Sequence, residues 1–127
     1  MRTLILTYPK QTDAKGSLEG KFLQLRWAGH AYLLFAAADE LRYHNQILGR
    51  FVSEQEIPHR WEDSQSLIVD HPELRVMGGG RFRLDLQTDT LRVWDASGVY
   101  GRFEASALCA QLAAADPPWR GLAVSVV

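Results

Sequence analysis

The chain has 127 residues and a single cysteine, Cys109. No intrachain disulfide can form, and a thiolate-rich zinc site is excluded. A reducing cytoplasm is the simplest compartment for such a chain. Long hydrophobic runs are also missing. No stretch approaches the roughly 18 apolar residues of a membrane span. The opening MRTLILTYPK holds only a short apolar run, too short for the core of a secretory leader. Charge of one sign is lacking too: 14 Lys and Arg stand against 15 Asp and Glu, for a formal net charge of −1. That balance gives no support for nucleic acid or an anionic membrane as the main partner. The four histidines, His30, His44, His59 and His71, stand at least a dozen residues apart. No pair has metal-ligand spacing, so neither a metal nor another cofactor is expected. Internal repeats, low-complexity tracts and linkers are absent as well.

What is present is an ordinary globular composition, 46% apolar and 23% charged, which fits one domain over 1–127. A short strand is expected at Thr3–Thr7, then a polar loop over 9–20, PKQTDAKGSLEG. Strands follow at Lys21–Trp27 and in HAYLLFA (30–36). The segment 38–58 reads as a helix, with Asp39 as N-cap, Glu40 in the first turn and Pro58 as the latest end. Leu41, Leu48, Phe51 and Val52 share one face, with Ile47 beside them. Residues 59–65 read as a loop, and SLIVD and ELRVM as short strands. RFRLDL (81–86) alternates cleanly and pairs as a hairpin with LRVW (91–94). A second helix is expected over 103–115, placing Cys109 against the sheet, and a last strand over 121–127. Strands with two intervening helices imply class α+β, a mixed sheet of about six strands flanked by two α-helices.

Several groups can carry chemistry. His44 lies on the apolar face of the first helix. It reads either as a core histidine with one hydrogen bond or as a base near a helix start, where free amide groups attract anions. Such a position favours the neutral imidazole. The triple glycine in MGGGRF reads as a bend or turn feeding the strand at 81. A P-loop pattern is absent. The loop SGVYG (97–101) can form an anion-binding concavity, with the Ser97 hydroxyl as a further donor. Lys21 and Arg81 each open a strand, which is by default a solvated position. Ser97 has Asp95 nearby but no histidine at the spacing of a known triad.

Taken in order, GKFLQLRW (20–27), YHNQIL (43–48), GGGR (78–81) and VWDASGVYG (93–101) resemble the Janus/Ocnus family of phosphohistidine phosphatases. The matched blocks span about residues 20–57 and 74–119. The resemblance implies a mixed sheet with two flanking helices. It places the catalytic histidine at His44 and substrate contacts at Lys21 and Arg81. The phosphate would be held by backbone N–H groups of Ser97, Gly98 and Val99, completed by the first helical amides at His44 and Asn45. Two departures stand out. Ala36 occupies the place of a family arginine, and the chain is about a dozen residues longer between His44 and GGGR.

The implied activity is metal-independent hydrolysis of the P–N bond in a phosphohistidine protein or a small phosphoramidate. His44 would act as general base or nucleophile. The alternative is a binding module that holds phosphate or another anion without cleaving it. A third reading makes the segment around Trp61 a contact surface for a partner.

Overall fold

The computed structural model describes residues 2–9 and 16–127. Six strands form one mixed sheet: β1 (Thr3–Tyr8), β2 (Ser17–Trp27), β3 (His30–Ala37), β6 (Arg75–Asp85), β7 (Thr90–Trp94) and β8 (Ala123–Val126). Their spatial order is β1-β3-β2-β6-β7-β8. The outer pairs β1/β3 and β7/β8 are parallel, and the inner pairs are antiparallel. A second, two-stranded sheet joins β4 (His59–Trp61) to β5 (Leu67–Val69). With the helices α1 (His44–Glu54) and α2 (Ala105–Ala113), this is a single α+β domain, as its alternating strand patterns imply.

β3 is buried along its central stretch, so its alternation serves two cores. Tyr32, Leu34 and Ala36 join Leu23 and Leu25 beneath Ile47, Leu48, Phe51 and Val52 of α1. Leu33, Phe35 and Ala37 face the other way and join Phe22, Phe82 and Leu84 beneath Leu108 and Leu112 of α2. Phe35 anchors this second core. It stacks on Trp119 at 4.6 Å and meets Phe82 edge-on at 4.8 Å. The buried Gln24 supplies the cap that Glu104, the N-cap of α2, does not. Its Oε1 accepts from the Glu104 N–H at 2.7 Å, and its Nε2 donates to Gln111 Oε1 at 3.0 Å. A buried amide so satisfied costs the core little.

Five sequence expectations need correction. The loop read over 9–20 falls partly, at 10–15, outside the described residues. Its end is strand, because β2 starts at Ser17 and pairs with β6 from Asp85 onward. The first helix starts at His44, not near Asp39. The turn that ends β3 takes the Glu40 and Leu41 N–H groups to the Ala37 carbonyl, so the chain reaches helical geometry only after Tyr43, whose backbone is extended. ELRVM and RFRLDL are one strand, β6, which runs straight through the glycines. The 59–65 loop contains β4. Cys109 is exposed on α2, not packed on the sheet.

Among the described residues no helix is long and apolar enough to cross a membrane.

Candidate functional site

The late start of α1 is what makes the site. His44 is its first residue and Asn45 its second. Their backbone N–H groups have no acceptor in the described protein, as the first turn of a helix requires. Gln46 orders this start from within. Its Oε1 accepts from the Arg42 N–H at 2.8 Å and the Tyr43 N–H at 3.1 Å, the back-reaching half of a capping box.

The His44 side chain is 6% exposed and lies on the sheet. Nε2 is 3.1 Å from the Gly80 carbonyl oxygen. A carbonyl only accepts, so Nε2 carries the proton and Nδ1 holds the lone pair. Burial, the largest cause, pushes the imidazole pKa below its ordinary 6.5. The carbonyls of Gly80 and Phe22 oppose that shift, and the positive Lys21 adds to it. The ring therefore stays neutral at physiological pH.

Gly79 provides the floor. A Cβ there would stand 2.9 Å from His44 Cδ2 and 3.0 Å from Nε2. The glycines thus remain in a strand because an imidazole and the neighbouring backbone occupy the space of their side chains. Gly79 also anchors the opposite wall, since its N–H donates to the Gly101 carbonyl at 3.0 Å. Gly101 and Ser97 in turn bond each other through both backbone groups, at 2.9 and 3.0 Å.

Between these parts lies a cavity of about 300 Å³. The helix start, residues 43–46, forms one wall and residues 97–99 another. Ser64 and Gln65 from the β4–β5 connection form the third, and Lys21 reaches in from β2. Lys21 Nζ sits over the Tyr43 ring, 5.4 Å from its centroid.

Of the residues singled out in the sequence, Lys21, His44, Asn45, Ser97, Gly98 and Val99 converge on this cavity. Arg81 does not. It lines an adjoining cavity of about 530 Å³ that shares Lys21 and Tyr43, and its Nε lies 3.6 Å from Asp95. The register places Arg81 beside Lys21 on the neighbouring strand, one cavity away from the histidine.

The loop amides also differ from the simple cradle. The Ser97 N–H donates to the Gly101 carbonyl, and the Val99 N–H donates to Ser97 Oγ at 3.2 Å. The Tyr100 N–H donates to the same oxygen at 3.0 Å. With its oxygen accepting twice, Ser97 keeps its hydroxyl proton as a free donor at the cavity. The amides left for an anion are those of Gly98, His44 and Asn45.

Asn45 has a second task. Its Oδ1 accepts from the Tyr100 hydroxyl at 2.5 Å, and its Nδ2 donates to the Gln65 carbonyl. One side chain thus ties the 97–101 loop and the β4–β5 connection to the helix start. Asp63 shapes that connection by accepting from the Gln65 N–H at 2.8 Å and from Ser66 Oγ at 3.2 Å. Trp61 is 40% exposed, with one edge of its ring against α1. Its ring sits where a Cβ on Gly49 would be, 2.6 Å from Cζ2, which packs the added hairpin onto α1.

Sequence reasoning missed Ser64, Gln65 and the clamping role of Asn45. No periodicity marks them. Gln46 was missed too, because the helix was expected to start near Asp39 and not at Tyr43.

The chain matches no protein-family model, and no curated protein is significantly similar to it.

Proposed function

We propose that the protein hydrolyses the P–N bond of phosphohistidine, in a polypeptide or a small phosphoramidate, with His44 as its reactive base. One observation carries this reading. A buried imidazole, held neutral with its proton on Nε2, stands beside two free helix amides and faces the Ser97 hydroxyl across a small cavity.

The chemistry asks for little else. In phosphoryl transfer most of the catalysis is positioning and stabilisation of charge on the phosphoryl oxygens. The His44, Asn45 and Gly98 amides and the Ser97 hydroxyl supply donors, and Lys21 supplies positive charge. In the direct route Nδ1 takes a proton from water as its oxygen bonds to phosphorus. The P–N bond breaks, and the leaving imidazole nitrogen takes up a proton. In the two-step route Nδ1 bonds to phosphorus as the substrate P–N bond breaks and the leaving imidazole nitrogen takes up a proton. Water then attacks the phosphorus, the bond to Nδ1 breaks and inorganic phosphate leaves. Both routes start from the same neutral ring.

The test is to incubate the protein with a phosphohistidine peptide and measure phosphate release and peptide binding together. Release is expected. Binding without release supports an anion-recognising module, and neither result leaves the reading standing.

The protonation of His44 makes a second prediction. Its ring-proton resonances should titrate below pH 6.5 in the free protein. Replacing Lys21 with Met removes a positive neighbour, which favours the protonated ring, so the midpoint should move up. The same variant should raise KM, because Lys21 also meets the substrate anion. A midpoint at or above 6.5 in the unmodified protein, or a downward move in the variant, would contradict this electrostatic account.

A further inference from the structure

The sheet face under α1 is only partly covered by the helix. Beyond the helix start the same face continues over the first half of β2 and the adjacent parts of β6 and β7. Strand alternation puts Glu19 and Lys21, Arg81 and Arg83, and Arg92 and Trp94 on it. The register sets Lys21 opposite Arg81 and Arg81 opposite Trp94. It also sets Arg83 opposite Arg92. Arg42 joins from the segment entering α1 and lines the same cavity as Lys21 and Arg81.

Like charges placed directly across a sheet repel. Here two such pairs stand side by side. Three carboxylates stand against the five cations Lys21, Arg42, Arg81, Arg83 and Arg92. Glu19 stands directly opposite Arg83, Asp85 follows Arg83 on the same side of β6, and Asp95 makes a half-exposed pair with Arg81, which exchanges readily with a ligand. Among the described residues no ion pair involves Lys21, Arg42, Arg83 or Arg92. Arg92 lies instead over the Trp94 ring at 5.4 Å. In a chain of net charge −1, this is a local excess of positive charge.

We propose that this face binds an acidic polypeptide segment that flanks the phosphohistidine of a protein substrate. The proposal rests on the phosphatase reading above. Continuity fixes the arrangement. The basic cavity and the His44 cavity share Lys21 and Tyr43, so a chain whose phosphorylated imidazole enters one passes directly into the other. Arginine forks suit carboxylates, and Tyr43 and Trp94 offer ring faces to the stems of neighbouring side chains.

Two phosphohistidine peptides of equal length test it, one flanked by Glu and one by Gln. The Glu peptide should show about tenfold lower KM, a preference that fades with added salt. In an Arg42→Gln/Arg83→Gln variant the preference should shrink to within about twofold. Equal KM values for the unmodified protein, or a preference that survives in the variant, overturn the proposal. The unphosphorylated Glu peptide, labelled for anisotropy, gives a readout that needs no hydrolysis. It should bind the unmodified protein and bind the variant more weakly. Charge-dependent binding with no hydrolysis of either phosphopeptide would sink the phosphatase reading and leave the acidic-segment site standing. Hydrolysis without preference would do the reverse. A single-stranded oligonucleotide of matched charge that binds more tightly than the Glu peptide overturns the assignment to polypeptide.

Discussion

His44→Ala should lower phosphoramidate hydrolysis by about 10²–10⁴-fold while the affinity for inorganic phosphate stays nearly unchanged. The asymmetry follows from the division of labour in the cavity. On the proposed reading the anion would be met by backbone N–H groups, the Ser97 hydroxyl and Lys21, none of which depends on the imidazole. The ring contributes the lone pair on Nδ1, and alanine offers nothing in its place. Folding should survive. The ring packs on Gly79 and bonds the Gly80 carbonyl, but both residues are held by the paired strand β2. The lost bond costs about 1 kcal/mol, small against the stability of a domain this size. Phosphate release and phosphate calorimetry on the same preparation decide the matter. A variant that hydrolyses at the original rate removes His44 from the mechanism. A rapid quench at alkaline pH separates the two routes. A phosphoryl group trapped on the unmodified protein marks His44 as the nucleophile, and its absence during turnover favours the direct attack of water.

The sheet was legible wherever side chains alternate. RFRLDL reads correctly because Phe82 and Leu84 enter one core while Arg81 and Arg83 remain exposed. The apolar stripe of α1 was legible for the same reason. Its start was not, because it depends on backbone bonds that close the turn after β3 rather than on residue type. That shift matters more than its few residues suggest: a helix starting near Asp39 would bury the His44 and Asn45 amides in its own ladder. The triple glycine misled because residues without side chains cannot alternate. The reason they sit in a strand lies 36 residues away in sequence, in the His44 ring bonded to Gly80. The same limit hid the third wall. β4 and β5 are three residues each, too short for a pattern, and the Asn45 clamp that holds their connection exists only in three dimensions. Six of the seven residues that the four ordered landmarks singled out line one cavity, and Arg81 lines the adjoining one beside Lys21.

Gly79→Ala should be nearly as damaging to catalysis as loss of His44 itself, although residue 79 offers no chemistry. The added methyl would stand 2.6 Å from the Phe22 carbonyl oxygen and 2.9 Å from His44 Cδ2. Real Cβ atoms do not approach so closely, so something must give. The Phe22 carbonyl belongs to a strand paired along its length with β6, and moving it strains the centre of the sheet. The imidazole yields more easily, because a side chain can turn about its own bonds without breaking the ladder of a central strand. Once displaced, Nε2 leaves the Gly80 carbonyl, the tautomer is no longer fixed and Nδ1 loses its aim at the phosphoryl group. The expected result is a fall in kcat of about 10²-fold or more, as misplacing a positioned base by an ångström entails. The accompanying loss of stability is about 1–3 kcal/mol from overpacking, measured by urea unfolding. Unfolding alone would lower activity too, so the decisive measurement is the combination with His44→Ala. If Gly79 acts by seating the ring, the double variant should be no slower than His44→Ala, because the geometry being spoiled no longer exists. If the two losses multiply, the glycine serves the sheet and not the histidine, and the account of the floor fails.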